Sequence, residues 1–409
     1  MPKSAAIRPA SAPVDRPADD EIWPRVTREL ADDLAVDASA RDRAGKAPYD
    51  EVARLQEAGL PALLTAPGPS GRGADWRTAC GVIREISAAD GSIGELLAHH
   101  CVLSWTSRFL GPAAGPCDLD AQAAGARWLL AGAVEPPRAP GGSDELTLTP
   151  AGGGAYVLDG RRGFASAVTV ADRLVVGARC TQTGDLLVVL VDPAHPAVFT
   201  EAGAERVGQR LAGAGTVTFD RAPVEAAQVL GALPHDEHTV APYPTLAPLA
   251  LRLLLVHVGL GIAEGALAEA RDISRATRAD SDDPYLLLAY GELATAAHTA
   301  AAVVERATDA LAHGLLAERA LDVEERADIA VLVAAAETVA NRAAVDITTR
   351  ILELVDRATA ADRHGTGPGF DRFWRNVRAL TAPVSPDHRL RDIGDHYLHG
   401  THARLTLLA

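Results

Sequence analysis

The 409-residue sequence predicts an α+β fold, mostly α, built from an N-terminal helical domain, a β-domain and a C-terminal helical bundle. Hydrophobic residues recur with helical period in residues 21–126 and 236–409, and alternate with the period of a strand in residues 127–235. Aromatic residues make up only 4% of the chain, which favours closely packed helices. Residues 1–20 hold four prolines and no apolar segment, so we expect a disordered leader rather than a signal peptide.

The N-terminal domain is predicted to consist of several helices. Apolar residues from Trp23 to Leu34 stand three or four positions apart, as on one face of a helix. The next segment, YDEVARLQEAGLPALLT, repeats the pattern and should end near Gly59. The segment from Trp76 onward predicts two further helices, with a break at Asp90-Gly91.

The middle of the chain has the features of a small β-domain of barrel or sandwich type. The string YVLDGRRGF alternates between apolar and polar residues about Asp159-Gly160, a dipeptide typical of hairpin turns. Three further runs are rich in β-branched residues and are bounded by Gly, Asp or Pro: DRLVVGAR, DLLVVLVD and GTVTFDRAPV. We therefore predict a hairpin at Asp159-Gly160 and a sheet built from these runs.

The C-terminal region predicts an antiparallel four-helix bundle followed by a short terminal helix. Its most apolar stretch, Leu246 to Leu267, is interrupted by Pro248, Arg252 and His257, so a buried core helix explains it better than a membrane span. The expected helices cover residues 246–278, 284–318, 323–357, 371–381 and 388–405.

Charge and cysteine usage exclude several functions. The net charge of −15 argues against a nucleic-acid or anionic-membrane binder, because such binding needs clustered positive charge. The four cysteines are scattered and form no CxxC pair, so we expect no structural zinc site and a reducing, cytoplasmic setting.

Several strings together resemble one enzyme family. They are WRTACGVIREISAADGSIGELLAHH, YVLDGRRGFAS, VHVGLGIAEGALAEAR, FDRFWRNVRAL and RDIGDHYLHG. These strings resemble those of the acyl-CoA dehydrogenase superfamily. The last two, at the C-terminal end, resemble the tail of its dibenzothiophene-monooxygenase branch. The resemblance implies the acyl-CoA dehydrogenase fold, reduced FMN or FAD delivered by a separate flavin reductase, and a homotetramer or homodimer. It also implies oxygenation of a hydrophobic or polycyclic small molecule with O2. The Ala-rich, acidic composition suggests that this reaction belongs to natural-product biosynthesis.

The resemblance also assigns roles to individual residues. It makes His100 a proton donor or substrate-orienting group and Ser166 a hydrogen-bond partner of the flavin. It places Arg271 near a flavin phosphate, which an arginine would bind by charge-assisted hydrogen bonds. Each residue also has a structural interpretation: a backbone hydrogen bond for His100, a turn for Ser166 and a salt bridge for Arg378. The remaining assignments are Arg378 to the cofactor and Ser104, Trp105, Gly132 and His388 to the substrate pocket.

Departures from the family pattern support two other hypotheses. Leu380 and Pro383 stand where the family has tail histidines, and the loop Gly208–Gly215 has lost a Thr and a Ser. One alternative therefore keeps the fold but catalyses a non-redox step such as cyclisation, dehydration or rearrangement, with weak or no flavin binding. The other is an acyl-CoA dehydrogenase-type flavin oxidoreductase acting on a carrier-bound acyl group. That reaction needs a base, and residues 380–386 contain no carboxylate.

Overall fold

The computed structural model describes residues 19–66, 73–110, 119–134, 145–204, 206–233, 240–277, 283–359, 369–383 and 386–400. It confirms a mostly helical α+β fold with a central mixed sheet. The predicted leader lies outside the described residues, except for its last two positions, which begin the first helix. The helices are α1 Asp19–Ala44, α2 Tyr49–Glu57, α3 Trp76–Ala89, α4 Gly91–Ser104, α5 Thr106–Leu110, α6 Leu119–Ala126, α7 Leu246–Thr277, α8 Pro284–Ala317, α9 Val323–Thr359, α10 Asp371–Thr381 and α11 Pro386–His399. The strands are β1 Leu130–Ala133, β2 Thr147–Gly152, β3 Ala155–Phe164, β4 Arg173–Cys180, β5 Leu186–Val191, β6 Val198–Ala202, β7 Gly215–Val224 and β8 Val229–Leu233.

The predicted break at Asp90-Gly91 is the junction between α3 and α4. Asp90 has an extended backbone, and its carboxylate accepts hydrogen bonds from the backbone N–H groups of Ser92 and Ile93, 3.1 and 3.4 Å away. Such a cap satisfies backbone donors that the first helical turn leaves unpaired. Because α4 is buried on almost every side, it forms the centre of the N-terminal region, against β1 and α7.

The strands form one connected mixed sheet in the order β6-β7-β3-β2-β4-β5-β8. β4 is its middle: β1 pairs in parallel with residues 173–176, and β2 pairs in parallel with residues 179–180. The other edge of β4 pairs antiparallel with β5. β1 contacts both α4 and β3, so this part of the sheet packs against the N-terminal helices.

The prediction of a hairpin turn at Asp159-Gly160 is wrong. β3 runs straight through both residues, and the pairing with β7 shifts register there, as at a β-bulge. Gly160 has φ of +123°, and a side chain on it would meet the carbonyl oxygen of Glu145 at 2.7 Å. A glycine required by a bulge was thus misread as a glycine required by a turn. The turn between β2 and β3 lies at Gly153-Gly154 instead.

Within the described part of the C-terminal region there are three long helices, α7, α8 and α9, with α10 packed against α7 and α9 and α11 against α9. α7 and α8 are each long and apolar enough to cross a membrane by length and composition alone. The most apolar window of α7 is 78% buried inside the fold, as expected of a core helix. The corresponding window of α8 is only 22% buried, so much of this helix faces outward.

Candidate active site

A largely apolar cavity of about 410 Å³ lies where α4, α5, β1, β3 and α7 meet. Its volume falls within the range of small-molecule sites, roughly 300–1,000 Å³. One wall is a stripe on α7 made of Ala247, Leu251 and Leu255, which share a face because they are four residues apart. Pro383, which follows α10, also borders the cavity. Such a lining keeps water away from a bound group.

β1 contributes backbone rather than side chains to the cavity. Gly132 lines it, and a side chain at this position would meet Leu103 at 2.5 Å and the carbonyl oxygen of Val175 at 2.6 Å. Glycine is therefore needed where β1 lies between α4 and β4. Of the four residues predicted for the substrate pocket, Gly132 is placed at the cavity.

The other three predicted pocket residues lie elsewhere. Ser104 is buried, and its hydroxyl donates a hydrogen bond to the carbonyl oxygen of Cys101 at 3.0 Å. Trp105 donates its indole N–H to the carbonyl oxygen of Leu64 at 3.1 Å and packs edge-on against Trp76, with ring centroids 5.0 Å apart. His388 is exposed on α11. The contacts of Ser104 and Trp105 are therefore structural.

The two adjacent histidines of α4 point in different directions, because neighbours on a helix are about 100° apart. His100 is buried; its Nε2 donates to the carbonyl oxygen of Pro61 at 2.8 Å, and its Nδ1 accepts from the N–H of Leu130 at 3.1 Å. Burial lowers the pKa of His100 to about 4, although the bond to Pro61 opposes this shift. His100 is therefore a neutral ring with both nitrogens bonded to backbone. The histidine that lines the cavity is His99, which the sequence analysis did not select.

Ser166 lies beside the cavity, in the segment after β3. It is buried, and its neighbour Ala165 lines the cavity. The structure thus places Ser166 one residue from the wall, while its proposed contact with a flavin stays a prediction.

The predicted cofactor arginines are not gathered at the cavity. Arg271 is half exposed and pairs with Asp272 at 3.0 Å. It stands sixteen residues beyond Leu255 on α7, about 24 Å along the helix axis. Arg378 is exposed and stacks over Trp374, with its guanidinium carbon 5.4 Å from the ring centroid. Neither arginine reaches the cavity within this chain.

A second polar group that sequence reasoning missed lies beside His99. Glu95 is only 4% exposed, and its Oε1 is 3.9 Å from Nη1 of Arg206. The same Nη1 donates to the carbonyl oxygen of cavity-lining Ala165 at 3.3 Å. Burial raises the pKa of Glu95 to about 7 against the pull of Arg206. Burial, and next the charge of Arg206, lower the pKa of His99 to about 4.

Comparisons with known proteins identify the family. No family model matches the chain. It is 31% identical to a dibenzothiophene monooxygenase from Rhodococcus qingshengii, over 98% of this chain and 97% of that protein. It is 30% identical to a probable FMNH2-dependent monooxygenase, SfnC, from Pseudomonas putida, over 95% and 97%. The chain belongs to the dibenzothiophene-monooxygenase branch of the acyl-CoA dehydrogenase superfamily.

Solved structures agree with this assignment. Dibenzothiophene monooxygenase TdsC from Paenibacillus sp. A11-2 superposes with a TM-score of 0.86 at 29% identity, covering 95% of this chain and all of that one. Another structure of TdsC holds FMN and indole. Methanesulfinate monooxygenase MsuC from Pseudomonas fluorescens superposes with a TM-score of 0.84 at 28% identity, covering 94% and 99%. The protein is therefore a flavin-dependent monooxygenase, and the predicted reduced-flavin cofactor is confirmed, with FMN favoured over FAD.

The residues at the cavity fit a flavin ring. Leu251, Leu255 and Val102 offer apolar surface for ring faces, while Arg162 and His99 offer hydrogen-bonding groups at the edge. These are the two kinds of contact that a fused heteroaromatic ring with carbonyl and N–H groups requires. The cavity is the site at which we place the chemistry.

The two histidines give a matched test of this placement. We expect His99→Ala to lower the oxygenation rate at least about 10-fold while changing stability little, because His99 faces the cavity. We expect His100→Ala to cost about 3 kcal/mol of unfolding free energy, since two buried backbone groups lose their partner. Urea unfolding and the rate per folded molecule, measured for both variants, check this. A lower oxygenation rate for His100→Ala, together with an unchanged rate for His99→Ala, would show that His100 is the catalytic histidine.

Proposed function

We propose that the protein oxygenates the sulfur atom of an apolar, planar thioether or thiophene, using reduced FMN and O2. The observation that carries the proposal is the apolar cavity of about 410 Å³ bordered by His99 and Arg162. Relatives named for dibenzothiophene and methanesulfinate support a sulfur substrate. The apolar α7 wall favours a neutral aromatic compound over a small anion.

The chain's own contribution is positioning, exclusion of water and proton handling. Reduced FMN, when bound, supplies two electrons to O2, so that one oxygen atom joins the substrate and the other leaves as water. The α7 stripe and Val102 would hold the apolar substrate and keep solvent out. His99, neutral at pH 7, would hold or give a proton at a ring nitrogen facing the cavity. Ser166 would donate a hydrogen bond to the flavin, as the resemblance implies.

Isotope labelling tests the function directly. The wild-type protein would be supplied with FMN, a separate NADH-dependent flavin reductase and 18O2, together with dibenzothiophene, benzothiophene or methanesulfinate. We expect one labelled oxygen atom in the sulfoxide of an aromatic substrate, and none when the reductase is omitted. Conversion of a substrate without flavin would favour the non-redox alternative. Flavin reduction by an acyl thioester would favour the dehydrogenase alternative.

We also propose that the protein assembles through the outward face of α8 into a homodimer or homotetramer. Tyr285, Leu287 and Leu288 are 82%, 58% and 61% exposed at the start of this helix. Clustered exposed apolar side chains mark interaction surfaces. The double change Leu287→Glu and Leu288→Glu should lower the molar mass measured by light scattering by at least half. Val36→Glu, at an 85% exposed position on α1, is the control and should leave the mass unchanged. A wild-type protein that is already monomeric would contradict this proposal.

A further inference from the structure

The backbone at two buried positions near the cavity adopts a conformation that residues with side chains rarely take. Ala167, which directly follows Ser166, has φ of +61°, and Gln209, in the loop of residues 207–213 (the Gln209 loop), has φ of +52°. Both residues are completely buried. A left-handed backbone is unfavourable for residues other than glycine and persists only where its surroundings fix it. Because such positions concentrate at ligand sites, the contacts that hold these two residues bear on the function of the cavity.

A chain of backbone hydrogen bonds joins Gln209 to Ala167. The carbonyl oxygen of Gln209 accepts from the N–H of Ala212 at 3.1 Å, and the carbonyl oxygen of Ala212 accepts from the N–H of Ala167 at 2.7 Å. The next carbonyl oxygen of the loop accepts from the N–H of Val168 at 2.9 Å. The Gln209 loop is thus bonded to both residues that follow Ser166. The position of Ser166 therefore depends on the position of this loop.

Two helices hold the Gln209 loop in place. The N–H of Gln209 donates to Oδ1 of Asn376 on α10 at 2.7 Å, and its Oε1 accepts from the hydroxyl of Ser92 on α4 at 3.2 Å. Gly208 packs so closely on α10 that a side chain there would collide with the carbonyl oxygen of Arg375. Gln209 therefore connects both helices to the segment that contains Ser166.

Stability alone does not explain a glutamine at position 209. Its side chain is buried, and its Nε2 has no hydrogen-bond partner among the residues that the structure describes. A buried donor without a partner and a left-handed backbone each lower stability. Glycine would avoid both costs, but it would lose the bond to Ser92 and leave the loop free to take other conformations. The side chain of Gln209 thus fits a role in holding the loop in one position.

We propose that Gln209 is a positioning residue: it fixes the loop that holds Ser166 beside the cavity, where the serine hydroxyl reaches the flavin. The inference rests on the flavin contact of Ser166 in the proposed function, and it names the residue on which that contact depends. The bond from Ser92 holds the loop against α4, and the bond to Asn376 holds it against α10. Loss of the bond to Ser92 lets residues 165–168 move away from the cavity.

Gln209→Gly tests this role, because glycine takes a left-handed backbone freely but cannot bond to Ser92. We expect the dissociation constant for reduced FMN, measured under anaerobic conditions, to rise about tenfold, as for the loss of one hydrogen bond. The kcat at saturating reduced FMN should stay within about threefold of wild type, since the loss is one of binding. In the flavin-free protein, amide hydrogen exchange should become faster at Ala167 and Val168 while exchange in α9 stays as in wild type.

Arg221→Gly is the matched control. Arg221 also has a left-handed backbone, with φ of +53°, but it is exposed on β7 and does not line the cavity. The change should leave flavin affinity and the exchange of Ala167 and Val168 unaltered.

Ser92→Ala is a second test, which removes a single hydroxyl group. It should weaken the binding of reduced FMN about threefold. Combined with Gln209→Gly it should add nothing further, because both changes break the same hydrogen bond.

Three results separate the inference from the proposed function. Wild-type affinity for reduced FMN in both Gln209→Gly and Ser92→Ala overturns the inference and leaves the proposed function standing. Exchange in Gln209→Gly that accelerates in α9 as much as at Ala167 and Val168 also overturns it, since the residue would then serve stability throughout the fold. A protein that shows the expected changes in affinity and exchange but oxygenates no sulfur compound overturns the proposed function and supports the inference.

Discussion

Replacement of Ala247 by tryptophan should lower the rate of reduced-FMN-dependent oxygenation by at least about 100-fold while the protein stays folded. Ala247 is only partly buried and lines the cavity at the start of the α7 stripe. An indole there would extend into the cavity of about 410 Å³ and take space from the ring and the substrate. Even a 1 Å displacement of reacting groups costs about 100-fold in rate. Rates and equilibrium binding of reduced FMN under anaerobic conditions would be measured together.

Ala35→Trp is the matched control for this change. Ala35 is exposed on α1, another long helix, and does not line the cavity. We expect its oxygenation rate to stay within about twofold of wild type, since exposed substitutions rarely disturb a fold. Equal rates in the two variants would mean that the chemistry takes place elsewhere in the protein.

A large loss of stability is expected from Gly265→Ala, at the contact between α7 and α3. A methyl group on Gly265 would lie 2.1 Å from the carbonyl oxygen of Ala88 and 2.8 Å from its carbonyl carbon. These are backbone atoms of α3, so relief requires the two helices to separate. Overpacking of this kind costs about 3 kcal/mol and outweighs the roughly 1 kcal/mol by which alanine favours a helix. Urea unfolding measures the change in free energy.

Gly291→Ala, in the same helical region, is expected to raise the free energy of unfolding rather than lower it. Gly291 lies inside α8, is exposed, and has no atom within 4 Å of an added methyl group. Only helix propensity then acts, and we expect a gain of up to about 1 kcal/mol. A destabilised Gly291→Ala together with an unaffected Gly265→Ala would show that α3 and α7 do not approach each other as described.

Much of the fold follows from local patterns. The predicted ends of the three long helices lie within two residues of those observed, because apolar residues at helical spacing run through each helix and polar segments interrupt that spacing between them. The break at Asp90 was also predictable, since an aspartate before Gly both ends α3 and caps α4. The bulge at Gly160 was not, because a left-handed glycine has the same sequence signature in a turn and inside a strand.

The site was harder to predict, because it depends on which faces of separate elements meet. Burial on nearly all sides of α4 removes the periodicity that would distinguish His99 from His100. Glu95 carried a usable signal: it is the one carboxylate in the otherwise uncharged string GSIGELLAHH, where a buried charge is unusual. Its partner Arg206 comes from a loop more than one hundred residues away, which no local pattern connects to α4.

The arginines of α10 show how little spacing alone decides. Arg372, Arg375 and Arg378 are three residues apart and share roughly one face of the helix, yet two of the three serve the fold. Arg372 pairs with Glu269 on α7, and Arg375 pairs with Asp42 on α1. Spacing places side chains on one face but does not show what that face meets.

A crystal structure of the protein soaked with FMN and dibenzothiophene tests the central claim most directly. We expect density for the flavin ring and the aromatic substrate inside the cavity, in contact with the α7 stripe and with His99 rather than His100. Density for both molecules outside this cavity, or side chains that fill it on binding, would contradict the assignment of the site.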